Sequence, residues 1–181
     1  MHTFLDLAKE RRSVRTYIRK SVPRETLEHA IEAARLAPSA HNQQPWKFII
    51  VDDHELIAKI AAACTSPAIP FNKFVPSAPA IVAVVSEKSN IATMAGSFIK
   101  RRPFHLIDLG IAAEHFCLQA QEDGLGTCMI GWFNERKVKR ILKVPFTRRL
   151  HLLIAAGYSD NTRVRTKKRK ELSQIISYNE Y

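Results

Sequence analysis

The chain of 181 residues predicts a mixed α/β or α+β domain on a sheet of about four or five strands. Three observations carry that prediction. Apolar residues at helical spacing alternate along the chain with short, dense apolar runs bounded by turn residues, which is the pattern of helices interleaved with buried strands. An apolar share of 46 % is that of a packed core and excludes a disordered chain. No run approaches the roughly 18–20 apolar residues that a membrane helix needs. The length suits one domain, residues 1–181, with a possible tail.

Thr3 can cap a short helix over residues 4–10 that ends near an arginine cluster. Pro23-Arg24-Glu25 opens a second helix, with Leu27, Ala30, Ile31 and Ala34 on one face. Ala37-Pro38 stops it, because the residue before a proline is pushed out of the helical region. Residues 46–51 read as a buried strand, and Asp52-Asp53-His54-Glu55 starts a helix over 56–64. The three prolines of 65–77 predict a loop, and the apolar run 78–86 a central strand. Residues 94–104 show no clear period and are expected to be mobile or partly helical.

The strongest helix spans 107–123 and stops at Gly124, a left-handed C-cap. Its apolar residues, Leu109, Ile111, Ala112, Ala113, Phe116, Cys117, Leu118 and Ala120, occupy more than one stripe. That pattern predicts burial on most sides, partly under a second subunit. Residues 127–132 form a third strand, Asn134 caps a helix carrying Val138, Ile141 and Leu142, and 150–158 form a fourth strand. The tail, about 159–181, begins polar and basic and ends in Ile175, Ile176, Tyr178 and Tyr181.

The formal charge of +11 suits an anionic cofactor and substrate, or nucleic acid. The basic patches at 100–102, 136–143, 148–149 and 163–170 lack, in the last group, the interleaved aromatics of a single-strand binder, so nucleic acid is an unlikely main partner. Cys64, Cys117 and Cys128 are odd in number and widely spaced, which supports neither disulfides nor zinc and suits a reducing cytoplasm. The first residues lack the layout of a signal peptide. A GxSxG elbow, a GxxxxGK[ST] loop, a GxGxxG fingerprint and an HExxH pair are all absent. No protein nucleophile and no metal ligand set is expected, and the remaining chemistry is the binding of an anionic organic cofactor.

Two stretches bear on that. Arg11, Arg12, Ser13 and Arg15 gather three guanidiniums and a hydroxyl, a donor set for a phosphate or another anion. The same arginines could simply complement the dipole of the first helix at its carboxyl end. One helix later, Pro38, Ser39 and Ala40 are small enough to admit a flat ring, and Asn42 and Gln44 carry amides able to read a heterocycle's edge. The plain alternative is a helix-to-strand connection rich in turn residues.

In series, the Arg-Arg-Ser-x-Arg cluster, Ala37-Pro38-Ser39 and Asn42-Gln43-Gln44-Pro45-Trp46 resemble the nitroreductase family of flavin-dependent oxidoreductases. The likeness continues through 108–114, 124–131, Ala155-Ala156-Gly157-Tyr158 and the Lys167-Lys168-Arg169 tail. The resemblance implies an α+β fold with a central, mostly antiparallel sheet flanked by helices, and an intertwined homodimer whose tail reaches the partner. It implies FMN as cofactor and NADH or NADPH as electron donor. Arg11, Arg12, Ser13 and Arg15 would hold the phosphate, ribityl chain and pyrimidine side, with Lys167 and Arg169 approaching the phosphate from the tail. Ile130 and Gly131 would lie beside the ring, while Pro38, Ser39, Ala40, Asn42 and Gln44 come partly from the neighbouring subunit. Asn72 and Lys73 stay unassigned, and 86–104 would shape the substrate pocket.

The chemistry so implied belongs to the flavin, with no catalytic side chain, and one pocket serving two substrates gives ping-pong kinetics. Nitroaromatics, quinones or related electrophiles are the expected small-molecule acceptors. A reductive dehalogenase, a flavin-consuming enzyme, a non-catalytic flavin module and a basic nucleic-acid-binding protein are the alternatives.

Overall fold

The computed structural model describes residues 3–65, 71–87, 103–160 and 167–181. The first helix, α1 (Phe4–Glu10), starts in a capping box: Thr3 Oγ1 accepts from the Asp6 N–H, and the Asp6 carboxylate accepts from the Thr3 N–H. Helix α2 (Arg24–Arg35) follows Pro23 and buries Leu27, Ala30 and Ala34, the stripe its spacing predicts. Strand β1 (Trp46–Val51) leads into α3 (His54–Cys64), capped by Asp53, whose Oδ1 accepts from the Leu56 N–H at 2.8 Å. Strand β2 (Ala80–Ser86) begins only after Pro79, which has no N–H to give to a ladder.

Helix α4 (Phe104–Glu122) is the longest element and starts three residues before the apolar pattern does, directly after Pro103. Gly124, at φ 78°, ends this region as the left-handed cap expected of it. Strand β3 (Gly126–Ile130) stops short of Trp132, at the last residue with a partner on its neighbour. Asn134 caps α5 (Glu135–Ile141), its Oδ1 accepting from the Lys137 N–H at 3.0 Å, and β4 (Arg149–Gly157) completes the sheet.

The four strands lie in the order β1-β2-β4-β3 and every pairing is antiparallel. β2 is buried on both faces: Ala80, Val82 and Val84 pack under α2 and α4, and Ile81, Ala83 and Val85 under α3 and α5. Its uninterrupted apolar sequence follows from that double cover. Between β2 and β4 the register slips. Val84 faces Leu152 and Val85 faces Leu150, so His151 is the extra residue of a bulge.

Within the chain, α4 buries Asp108, Leu109, Ala112, Ala113, Phe116, Cys117 and Ala120, while Leu106, Ile107 and Gly110 are exposed. Its apolar residues therefore exceed what α2 and the sheet of its own chain cover. The ambiguous stretch 94–104 and the basic patch at 100–102 lie, up to residue 102, outside the described residues, as does part of the patch at 163–170.

Candidate functional site

The segment that leaves α1 is tied to the edge of the sheet. Ser13 forms a parallel bridge with Thr127, the Val14 N–H donates to the Thr127 carbonyl at 2.8 Å, and the Ile18 N–H donates to that of Tyr158 at 3.0 Å. A Cβ on Gly126 would sit 2.6 Å from the buried Val14 side chain, so only glycine lets the segment come this close. With Val14 inward, Ser13 and Arg15 are exposed. Arg15 stacks 5.9 Å above the Phe74 ring, and the Ser13 hydroxyl meets the Cys128 thiol. Arg11, the residue that ends α1, places Nε 2.9 Å from Glu114 Oε1 on α4.

The tail returns to the same place. Lys167 Nζ donates to the Ala8 carbonyl at 2.6 Å, in the last turn of α1. Partial burial pushes its ammonium below the usual lysine range, and the charges of Arg11 and Arg169 push it further in that direction. Three cations from the two ends of the sequence thus share a neighbourhood in which Glu114 is the carboxylate that opposes them. Like charges drawn together cost free energy that a bound anion removes.

The 38–44 loop is built with backbone strain. His41, Asn42 and Gln44 all take positive φ, 52°, 53° and 47°, around a single 3-10 turn. Non-glycine residues rarely hold that region unless their surroundings over-determine it. Here Ser39 Oγ accepts from the Gln44 N–H at 2.9 Å, and Gln44 Nε2 donates to Asn42 Oδ1 at 3.1 Å. The loop is fastened to α4 by Asp108, only 5 % exposed, whose Oδ1 accepts from the Ala40 N–H at 3.1 Å. Pro38 is exposed beside it. Asp108 and Glu114 stand six positions apart on one helix, about 9 Å along its axis.

Ile130, at the end of β3, is buried, and Gly131 beyond it is exposed with open space where a Cβ would stand. The structure thus gathers Arg11, Lys167 and Arg169, sets Ser13 and Arg15 along the same segment, and hangs Ser39, Ala40, Asn42 and Gln44 from α4. Arg12 is half-buried and makes contacts of its own. Asn72 is structural: Nδ2 donates to the carbonyls of Trp132 at 2.8 Å and Cys64 at 3.2 Å. Sequence reasoning passed over Asp108, Glu114 and Phe74 as working parts. The carboxylates of Asp108 and Glu114 amid the apolar residues of that helix were the available signal.

A four-stranded antiparallel sheet, a long central helix and cations meeting from both ends of the chain define an α+β domain with a cationic edge. Among the described residues no cluster of three metal-ligating side chains exists, and no helix is long and apolar enough to cross a membrane. The chain belongs to the nitroreductase family, whose model matches residues 8–158. It is 26 % identical over the full length of both chains to an iodotyrosine deiodinase of Thermotoga neapolitana. It is 30 % identical to an oxygen-insensitive NADPH nitroreductase of Helicobacter acinonychis, covering 83 % of this chain and 80 % of the relative. A crystal structure of oxidised iodotyrosine deiodinase bound to FMN and 3-iodo-L-tyrosine superposes with a TM-score of 0.82 at 27 % identity, covering 99 % of this chain and all of the other.

Proposed function

We propose that this chain is an FMN-dependent oxidoreductase that uses NADH or NADPH to reduce nitroaromatics, quinones or related electrophiles, working as a homodimer. The observation that carries the reading is the meeting of Arg11, Lys167 and Arg169 around one carboxylate. That donor set fits a phosphate dianion, and FMN ends in one. When bound, the flavin supplies the redox chemistry, accepting a hydride and delivering electrons to the acceptor.

This chain's residues supply placement. Arg11 and Arg169 neutralise the phosphate, and Lys167 gives it an ammonium held by the Ala8 carbonyl. Ser13 would offer its hydroxyl and Arg15 its guanidinium along the same segment, and the positive charge of Arg15 would stabilise negative charge on a bound cofactor. Asn42 and Gln44, pre-set by strained backbone, present amides that orient the ring, with Pro38, Ser39 and Ala40 leaving room for it. Gly131 would leave the ring an unobstructed edge, and Ile130, whose side chain is buried in the core, would meet the ring only through its backbone. Arg12 contributes to the same cationic field. The exposed apolar residues of α4 and of the tail fit cover by a second copy, which brings its own 38–44 loop to the site. Three buried free thiols fit a reducing, cytoplasmic setting.

Purified protein is expected to be yellow and to bleach when NADPH or NADH is added anaerobically. Colourless protein that FMN cannot reconstitute ends this reading. Reductive dehalogenation is a second reading, favoured by the full-length likeness to an iodotyrosine deiodinase. Release of iodide from 3-iodo-L-tyrosine, set against reduction of a nitrofuran by the same reduced protein, separates the two.

A further inference from the structure

At the end of the sheet where β4 finishes and β2 begins, residues 17–21, the start of α3 and the loop before β2 enclose a cavity of about 690 Å³. Arg19, Lys20, Lys73 and His54 line it, with the hydroxyls of Ser21 and Ser77, and none of the described residues that line it carries a carboxylate. None of the residues assigned above to the flavin lines it. The acidic side chains beside His54 are engaged elsewhere. Asp52 takes a two-bond contact from Arg24 at 2.6 and 3.0 Å, Asp53 caps α3, and Glu55 faces Lys59 at 3.9 Å. Among the described residues, Arg19, Lys20 and Lys73 have no carboxylate partner.

The walls are fixed. Tyr17 donates its hydroxyl to the Val14 carbonyl at 2.8 Å and reaches that of Ala155 at 3.3 Å. A Cβ on Gly157 would come within 2.5 Å of Pro79 and 3.0 Å of Tyr17, so this floor is closely packed. Lys20 Nζ lies 4.2 Å from the Tyr158 ring centroid, a cation–π contact that fixes its position. Lys73 follows Asn72, whose φ of 62° and two side-chain bonds pin the turn. Three permanent positive charges around a concave space, none compensated, favour a ligand with at least two negative charges; a single carboxylate leaves most of that field unanswered. The volume lies within the ~300–1,000 Å³ typical of small-molecule sites.

We infer that this cavity is a second site, separate from the proposed flavin site, that binds a phosphate-bearing small molecule of nucleotide size. The site stands whether or not the flavin reading does. ADP titrated calorimetrically into the FMN-saturated full chain is the test, repeated without FMN so that failure of either site shows separately. Saturable binding at one ADP per chain is expected, with no change in flavin absorbance and adenosine at least tenfold weaker. Lys73→Glu and Arg19→Glu, and the milder Lys73→Gln, each weaken ADP at least tenfold where melting shows a folded protein, while Arg11→Ala leaves it unchanged. No saturable binding at millimolar ADP overturns the site. Binding that survives Lys73→Glu with Arg19→Glu, or that disappears with Arg11→Ala, does the same.

Discussion

Arg11 and Lys167 show how much a single residue's setting decides. Alone, Arg11 is a cation at the end of a seven-residue helix; here it faces Glu114 and shares space with an ammonium pushed downwards by its neighbours. Arg11→Ala is expected to weaken FMN by roughly tenfold to a hundredfold, the equivalent of the ~1.5–3 kcal/mol of a charge-assisted bond. An unchanged dissociation constant by flavin fluorescence moves the phosphate elsewhere. Because anion binding needs the charged form of Lys167, retention falls as pH rises through that lowered value. The loss sets in below the ordinary lysine range, and Lys167→Arg abolishes it. Burial pushes the thiols the other way: Cys64 and Cys117 up to about 12, with Cys128 raised too. All three are protonated at pH 8 and should resist Ellman's reagent until the protein is unfolded in guanidinium.

At the scale of elements, the site depends on two attachments to a rigid frame. The 11–18 segment reaches the sheet edge only because Gly126 has no side chain. Gly126→Ala is expected to cost roughly 1–3 kcal/mol of stability through overpacking against Val14, and to loosen FMN along with it. Thermal melting and flavin titration on one sample read both effects. The second attachment is Asp108. Asp108→Ala leaves the Ala40 N–H without its acceptor and releases a loop held at positive φ, lowering flavin affinity more than it lowers the melting temperature. Asp108→Asn keeps an oxygen acceptor and retains most of the affinity. Equal behaviour of the two variants means that the bond to Ala40 does not set the loop.

Across the whole molecule, the uncovered apolar surface stands out. Phe4 and Leu5 on α1, Leu106 and Ile107 on α4, and Leu172, Ile175, Ile176, Tyr178 and Tyr181 in the tail are each exposed in the single chain. Apolar exposure on this scale fits the proposed homodimer. Light scattering after gel filtration should return twice the mass of one 20.6 kDa chain. Removing residues 171–181 should shift that value towards one chain. Acid response is a property of the whole fold as well. His151, the extra residue of the β2–β4 bulge, has a buried Nε2 with no partner among the described residues. Burial, then His105 and Arg149, hold its imidazole below the usual value, against a smaller pull from Glu135. The unfolded chain therefore binds this proton more readily. Stability is complete above the ordinary histidine value of 6.5 and declines as pH falls through the lowered one. His151→Phe should flatten the melting temperature between pH 7 and pH 5.

Most of the fold was legible because it is written in local terms. Apolar spacing located α2, α3, β1 and β4 to within two residues; Thr3, Asp53 and Asn134 announced helix starts, and Gly124 a helix end. The sites that read poorly depend on partners distant in sequence. Nothing near Ala40 reveals that its N–H ends on a carboxylate 68 residues away, and nothing near Arg11 reveals Glu114. The apolar surplus of α4 was visible, but only the packed chain shows which of its residues remain uncovered.

The amino-acid order alone determined the elements, the α+β class and which groups have the chemistry to hold an anion, since each follows from near-neighbour sterics, periodicity and side-chain type. Tertiary structure decided that the two ends of the chain bring their cations to one place, that Asp108 fixes the strained loop, and that a cationic cavity opens at the end of the sheet where β4 finishes and β2 begins. Those facts rest on distances between remote segments, which are set when the core packs.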